Sequence, residues 1–308
     1  MEKRQIKDSL FEKAQVEASE KERIAAPASG MLKDAWLRLK KNTAATVSLF
    51  VLIAIILLAI FAPVFSKYSF KDTDYSLVFA TPSKEHIFGA DQFGRDMWVR
   101  TWMGTRISLM IALVAAILDL VVGVIYGAVS ALIGGKVDAV MQRIIEILVG
   151  IPNLIIVILF LMAFPAGVGT IIAALSITGW VNMARLVRAE ILKLKNQEFV
   201  LASQVLGTSK KDIIFKDLIP NTVSVIVINV MFTIPSAIFT EAFLSFVGLG
   251  IPVPQCSLGS LISDGFNSFT THPYQIIPPI VVMALLMLSF NLVADGLREA
   301  LDPKMKEM

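Results

Sequence analysis

The sequence predicts an all-α membrane protein with six transmembrane helices and both termini in the cytoplasm. Three observations predict it. Of 308 residues, 56% are hydrophobic and only 17% are charged, against roughly 25% charged in an ordinary soluble domain, and mean hydropathy is +0.71. The apolar residues gather into runs of about 20 or more, the length an α-helix needs to cross a hydrocarbon layer about 30 Å thick. Lysine and arginine crowd the segments that fall on one side once those runs are threaded through a membrane.

The elements follow in order. Residues 1–42 form a charged cytoplasmic segment. Within it Met31, Leu32, Ala35, Trp36 and Leu39 recur at helical spacing, while Lys33, Arg38, Lys40 and Lys41 are placed to meet lipid headgroups. That pattern predicts a helix lying in the interface; for residues 1–25 a charged leader without structure fits equally well. The first span is Thr43–Phe65. No signal-peptide core precedes it, so it reads as an uncleaved anchor. Residues 66–106 form an extracytoplasmic segment whose mix of Gly, Asp and Arg predicts turns and a short helix capping the outer face. Further spans are expected at Ile107–Ile133, Arg143–Phe164, Gly169–Val187, Pro220–Val247 and Gln275–Ala294. Glycine or proline marks most of the joints, which suits residues that end helices or begin them. Residues 107–297 make up the membrane core, with a cytoplasmic loop at 190–219, and residues 298–308 form a cytoplasmic tail.

Orientation comes from the cations. With the N-terminus inside, Lys136, Arg143, Arg185, Arg188, Lys193, Lys195, Lys210, Lys211, Lys216, Arg298, Lys304 and Lys306 join the basic head in the cytoplasm. Lys67, Lys71, Lys84, Arg95, Arg100 and Arg106 remain outside.

Several function classes are disfavoured. The single cysteine, Cys256, cannot form an intrachain disulfide or a Cys-based metal site. His86 and His272 are far apart, so no His-rich metal or catalytic cluster is expected. A net charge of +3 carries no nucleic-acid footprint. The chain has no G-x-x-x-x-G-K-[ST]; "IGGKVD" lacks the first glycine and the Ser/Thr, so the chain is not expected to hydrolyse ATP alone. H-E-x-x-H and G-x-S-x-G are also missing, which disfavours an intramembrane hydrolase. No bound cofactor or metal is expected.

The informative stretch is "EFVLASQVLGTSKKDIIFKDLIPN", Glu198–Asn221. Phe199, Ala202 and Leu206 repeat at i, i+3, i+7, giving one apolar face. Gly207 supplies a backbone free to take positive φ. Ser209 and Asp212 form an N-terminal capping pattern. Ile213, Ile214 and Leu218 follow on a second piece, and Pro220 suits the first turn of the next span. The result is a helix-turn-helix knob in the cytoplasm, shaped for a partner's groove. On pattern alone, a loop lying on lipid fits almost as well.

This stretch resembles the EAA loop of ATP-binding cassette importer permeases: Ala202, Gly207 and Pro220 hold matching positions. Val200-Leu201-Ala202 stands where the name motif has Glu-Ala-Ala, and Ile219 precedes the proline. The segments "FGADQFGRDMWVRTWMGTRISL", "IGGKVDAVMQRIIEILVGIPN", "TEAFLSFVGLGIP" and "SFNLVADGLREALDPK" are similar to permeases of the oligopeptide/dipeptide/nickel importer family, in order and spacing from about Phe88 to Lys304. The chain is most similar to the C-type permeases among them. The resemblance implies a type I importer permease fold in a bacterial or archaeal plasma membrane. It implies half of a translocation pathway for oligopeptides or dipeptides, with nickel or another small cargo as the alternative. The implied partners are a second homologous permease, two cytoplasmic ATPase subunits that use ATP and Mg, and an extracytoplasmic peptide-binding protein. It also implies that the knob docks on an ATPase, through Glu198, Ala202, Gly207, Ser209, Asp212 and Pro220.

Charges inside the spans need reasons. Asp119 lies near the middle of the second span, where a carboxylate costs about 2.5–3.5 kcal/mol on insertion scales. It is expected to face protein or a watery cavity, either lining the cargo path, where it could meet a peptide N-terminus, or sitting neutral or paired at the interface between permeases. Glu241 reads as an outer gate or cavity wall, or as an acceptor for the turn at Gly248–Gly250. Glu146, Arg185, Arg188 and Glu190 are expected to pair with one another or with the ATPases. Gly123 and Gly127 form G-x-x-x-G, which predicts close helix approach within the chain. His272, Tyr274 and Cys256 are expected to pack the last outer loop. The rival class is a proton-coupled secondary transporter with Asp119 and Glu241 titrating; the internal repeats and broken helices common in such folds are not evident.

Overall fold

The computed structural model describes residues 36–301; most of the N-terminal segment and of the tail lie outside that range. Every named element is helical, and the described residues include one isolated bridge, Ala90 to Asp96. Helix α1, Thr43–Phe65, begins where the Asn42 side chain accepts from the Ala45 amide at 3.0 Å. Its buried stripe is Ala45, Ser48, Leu52, Ile55 and Ala59. Of the expected interfacial helix, residues 36–39 are helical, and Leu39 packs with Ala45 and Ala300.

Helix α2, Met97–Ile133, starts at Met97 rather than Ile107 because the Asp96 carboxylate caps it, accepting from the Val99 amide at 2.9 Å. The short outer helix expected before the second span is therefore its first turns. At 1.5 Å per residue, its 37 residues reach about 55 Å, well beyond the hydrocarbon layer. It is the central column, packed against α1 and against Trp180–Leu194 (α6), Ile219–Leu244 (α8) and Leu258–Asn267 (α9).

The expected third span is broken. Helices α3, Gly135–Gly150, and α4, Asn153–Ala163, meet at an angle of 80°. Ile151 is extended (φ −102°, ψ 129°) and Pro152 follows; a residue before proline is driven out of the helical region, and proline cannot donate the next helical bond. The fourth span, Val168–Leu194, is one helix of 27 residues with a turn at Ile177–Gly179 that separates α5, Val168–Ser176, from α6, Trp180–Leu194, while Ile177 and Gly179 keep helical dihedrals. Helix α7, Glu198–Val205, and a π-helical turn, Ile213–Leu218, lead into α8, Ile219–Leu244, with Pro220 in its first turn. Helix α9, Leu258–Asn267, lies in a stretch where no helix was expected; Ser257 and Ser260 form a reciprocal capping box at its start. Helix α10, Ile277–Leu301, runs past the expected end at Ala294. Among the described residues, five helices or helix pairs are long and apolar enough to cross a membrane, and the bent α3–α4 pair makes up to six.

Gly123 and Gly127 act within the chain as expected. A Cβ on Gly123 would lie 2.6 Å from Met183 Cβ, and one on Gly127 would lie 2.4 Å from the Ala184 carbonyl oxygen. Their bareness sets how closely α6 crosses α2.

Candidate coupling knob and central cavity

The knob is built by local rules. Helix α7 ends in a complete Schellman motif: the Thr208 amide donates to the Ser203 carbonyl and the Gly207 amide to the Gln204 carbonyl, both at 3.0 Å. Gly207 takes φ +79°, the left-handed conformation that closure requires. Ser209 Oγ then accepts from the Asp212 amide at 3.1 Å, and its hydroxyl donates to Asp212 Oδ2 at 2.6 Å. Lys216 Nζ lies 2.9 Å from Asp212 Oδ1. This ammonium first, and the Ser209 hydroxyl second, hold the Asp212 carboxyl below its ordinary value. Glu198 opens α7, where a negative charge suits the helix N-terminus.

The root of the knob is buried. Val200, Ile213 and Leu218 join Ala128 and Ala131 of α2, Met183, Val187 and Ile191 of α6 and Ile226 of α8 in one cluster. The tip is bare: Val205 and Leu206 are 87% and 84% exposed, with Phe199, Leu201, Ala202 and Phe215 also exposed. The face read from Phe199, Ala202 and Leu206 thus points outward, and Val200 is the inward anchor. Close to this root, Arg188 donates to both oxygens of Asp138 at 2.7 and 2.6 Å, tying α6 to α3. Sequence reasoning missed Asp138 as the partner of Arg188, since 50 residues separate them. Glu146 and Glu190 pair with neighbours one turn away, Arg143 and Lys193.

The α3–α4 break meets the turn between α5 and α6. The Thr178 hydroxyl, in the α5–α6 turn, donates to the Asn153 side-chain oxygen at the start of α4. Beside them lies a cavity of about 410 Å³ whose wall includes Asp119, Asn153, Thr178, Asn182, Asn229 and Thr233. Asp119 is 6% exposed, and its Oδ1 has no hydrogen-bond partner among the described residues.

Glu241 is elsewhere. It is fully buried, accepting from the Ser108 hydroxyl at 3.0 Å and the Ser245 hydroxyl at 2.8 Å. Ser108 Oγ in turn accepts from the Leu258 amide at 3.1 Å. The carboxylate therefore joins α2, α8 and the start of α9, and its donors are serines rather than the Gly248–Gly250 turn. In the segment between α1 and α2, Asp91 pairs with Arg95 at 2.7 Å and with Arg100 of α2 at 3.2 Å, all buried. The Tyr274 hydroxyl donates to the Phe79 carbonyl at 2.6 Å, and the His272 ring stacks on Phe79 at 4.0 Å. Cys256 is buried, with its thiol 3.5 Å from the Arg100 carbonyl oxygen.

Comparison with known proteins is consistent along the chain. Residues 120–307 match the family model "Binding-protein-dependent transport system inner membrane component". Residues 30–82 match "N-terminal TM domain of oligopeptide transport permease C". The oligopeptide transport system permease protein OppC of Bacillus subtilis is 46% identical, covering 98% of this chain and 99% of the relative. The dipeptide transport system permease protein DppC of the same organism is 42% identical (98% and 95%). OppC of Escherichia coli K12 is 41% identical (92% and 94%). Among solved structures, an inward-facing conformation of the MetNI methionine ABC transporter aligns with a TM-score of 0.56 at 18% identity, covering 67% of this chain and 98% of that one; at that identity the likeness concerns the fold.

Proposed function

The chain belongs to the family of binding-protein-dependent transport system inner membrane components, and we propose that it forms half of the pathway by which an ATP-driven importer moves oligopeptides or dipeptides into a bacterial cell. It is a multi-pass permease of the ATP-binding cassette class, and the chemistry of ATP belongs to partner subunits. The remaining half of the pathway comes from a second homologous permease. Two cytoplasmic ATPases supply force, using nucleotide and Mg that this chain does not bind, and an extracytoplasmic peptide-binding protein delivers cargo. Both termini and the knob face the cytoplasm.

The observation that carries this reading is the construction of the knob. Its tip offers bare apolar side chains to a groove, while Val200, Ile213 and Leu218 root it in the α2–α6–α8 cluster. A push on Val205 and Leu206 by closing ATPases is delivered to three membrane helices at once, because close-packed interfaces shift as units rather than deform. Glu198, Ala202, Gly207, Ser209, Asp212 and Pro220 shape the lever, and Arg188–Asp138 carries the motion to α3.

The test is reconstitution. Tagged chain purified from its native membrane brings down a second permease and two ATPases, and liposomes holding that assembly take up a labelled tripeptide when the binding protein and ATP are supplied without a proton gradient. Uptake that ignores ATP and follows the proton gradient would overturn the reading in favour of a secondary transporter.

A further inference from the structure

The central cavity carries a charge that the lever does not use. Among the described residues that line it Asp119 alone is charged; the rest are apolar or are neutral Asn, Thr and Ser side chains. The α3–α4 break borders it with one C-terminal and one N-terminal helix end, whose dipoles largely offset, and the turn at Ile177–Gly179 keeps helical dihedrals at Ile177 and Gly179 and adds no free end. Asp119 sets the sign of the cavity. Its place there is built: a Cβ on Gly179 would lie 2.1 Å from Asp119 Oδ2, so glycine at that turn is what admits the carboxylate. Once seated it is more than nine-tenths buried, with Oδ1 facing no donor.

The surroundings narrow the ligand. When ionised, a carboxylate so desolvated calls for a cation. No group of three or more His, Cys, Asp or Glu able to hold a metal ion occurs among the described residues, and one acid with neutral amides is a poor cage for a divalent ion. A quaternary ammonium prefers several aromatic faces, and Phe232 is the only aromatic lining residue. A primary ammonium brings three N–H donors and fits one carboxylate plus the neutral oxygens of Asn153, Thr178, Asn182, Asn229 or Thr233. The volume of about 410 Å³ also admits more than a bare ion.

We propose that Asp119 receives the α-ammonium group of the peptide as it crosses this half of the pathway. The assignment rests on the importer function above. One charged contact among neutral ones holds the leading end of a peptide without fixing its side chains, which suits a passage that must release what it binds.

The test is equilibrium binding of a labelled tripeptide to the purified permease–ATPase assembly, without binding protein, with its des-amino analogue as competitor. The wild-type assembly is expected to prefer the free amine by about tenfold or more, equivalent to about 1.4 kcal/mol. Asp119→Asn is expected to erase that preference while leaving des-amino affinity unchanged, and Asp119→Glu to keep part of it. Equal binding of both ligands by the wild type overturns the assignment, as does no saturable binding at all. So does an Asp119→Asn loss shared by both ligands, the mark of an acid paired at the permease–permease interface. Wild-type assemblies that show no ATP-driven tripeptide uptake would sink the importer reading itself; normal uptake with an indifferent Asp119→Asn sinks only this assignment.

Discussion

Gly207 isolates the mechanical role of the knob from its contacts. A Cβ at this position would meet nothing within 4 Å, so a substitution there creates no clash in the described chain. Its cost comes from the backbone alone, because φ is +79° and a left-handed residue bearing a side chain pays roughly 1–2 kcal/mol. That energy lowers the ratio of closed to opened elbow about 5–30-fold. Valine is worse than alanine, being β-branched, and asparagine is milder, since it visits this region readily. In the reconstituted assembly, Gly207→Val is therefore expected to insert and assemble normally and to hydrolyse ATP, while peptide uptake per ATP falls about 5–30-fold. Gly207→Ala should lie between that variant and the wild type, and Gly207→Asn should approach the wild type. The assay is paired measurement of phosphate release and tripeptide uptake in the same liposomes. Undiminished uptake by Gly207→Val would refute the lever, and equal damage from valine and asparagine would refute the backbone as its cause.

Two further outcomes follow from the same geometry. Glu241→Ala strands the Ser108 and Ser245 hydroxyls in a fully buried site and is expected to destabilise the detergent-purified protein by about 1–3 kcal/mol for the lost acceptor alone; Glu241→Gln keeps an acceptor oxygen and should lie much closer to wild type, and identical unfolding midpoints for the two variants would argue against the serine network. Asp212 has a depressed folded pKa, owing to Lys216 and then Ser209, so its stabilisation of the elbow is present above the ordinary value of 3.8 and is lost as pH falls through the lower folded value. Amide exchange at Asp212 and Ile213, corrected for intrinsic rates, should accelerate in that acid window in the wild type and stay flat in Asp212→Asn.

Much of the knob was legible because its signals are local. The Schellman glycine, the Ser209 cap and Pro220 act on residues within one or two turns, so their spacing in the chain is their spacing in space. The outward direction of the Phe199–Leu206 face was less so: an apolar stripe on a short helix reads the same whether it points into a core or toward an absent partner. Burial of Val200 against α2 and α6 made that choice.

The sequence by itself determined the helical class, the approximate positions of the spans and the glycine-hinged loop, since these depend on hydrophobic run length, charge placement and the conformational limits of single residues. Only the tertiary structure decided that the proline break of α3–α4 meets the turn at Gly179, that Asp119 stands beside both, and that Ser108 of a distant helix joins the local Ser245 in closing in Glu241. These are contacts between residues 60 to 133 positions apart in the case of Asp119 with Gly179 and of Glu241 with Ser108, and the packing angles of helices, which no single stretch encodes, are what bring them together.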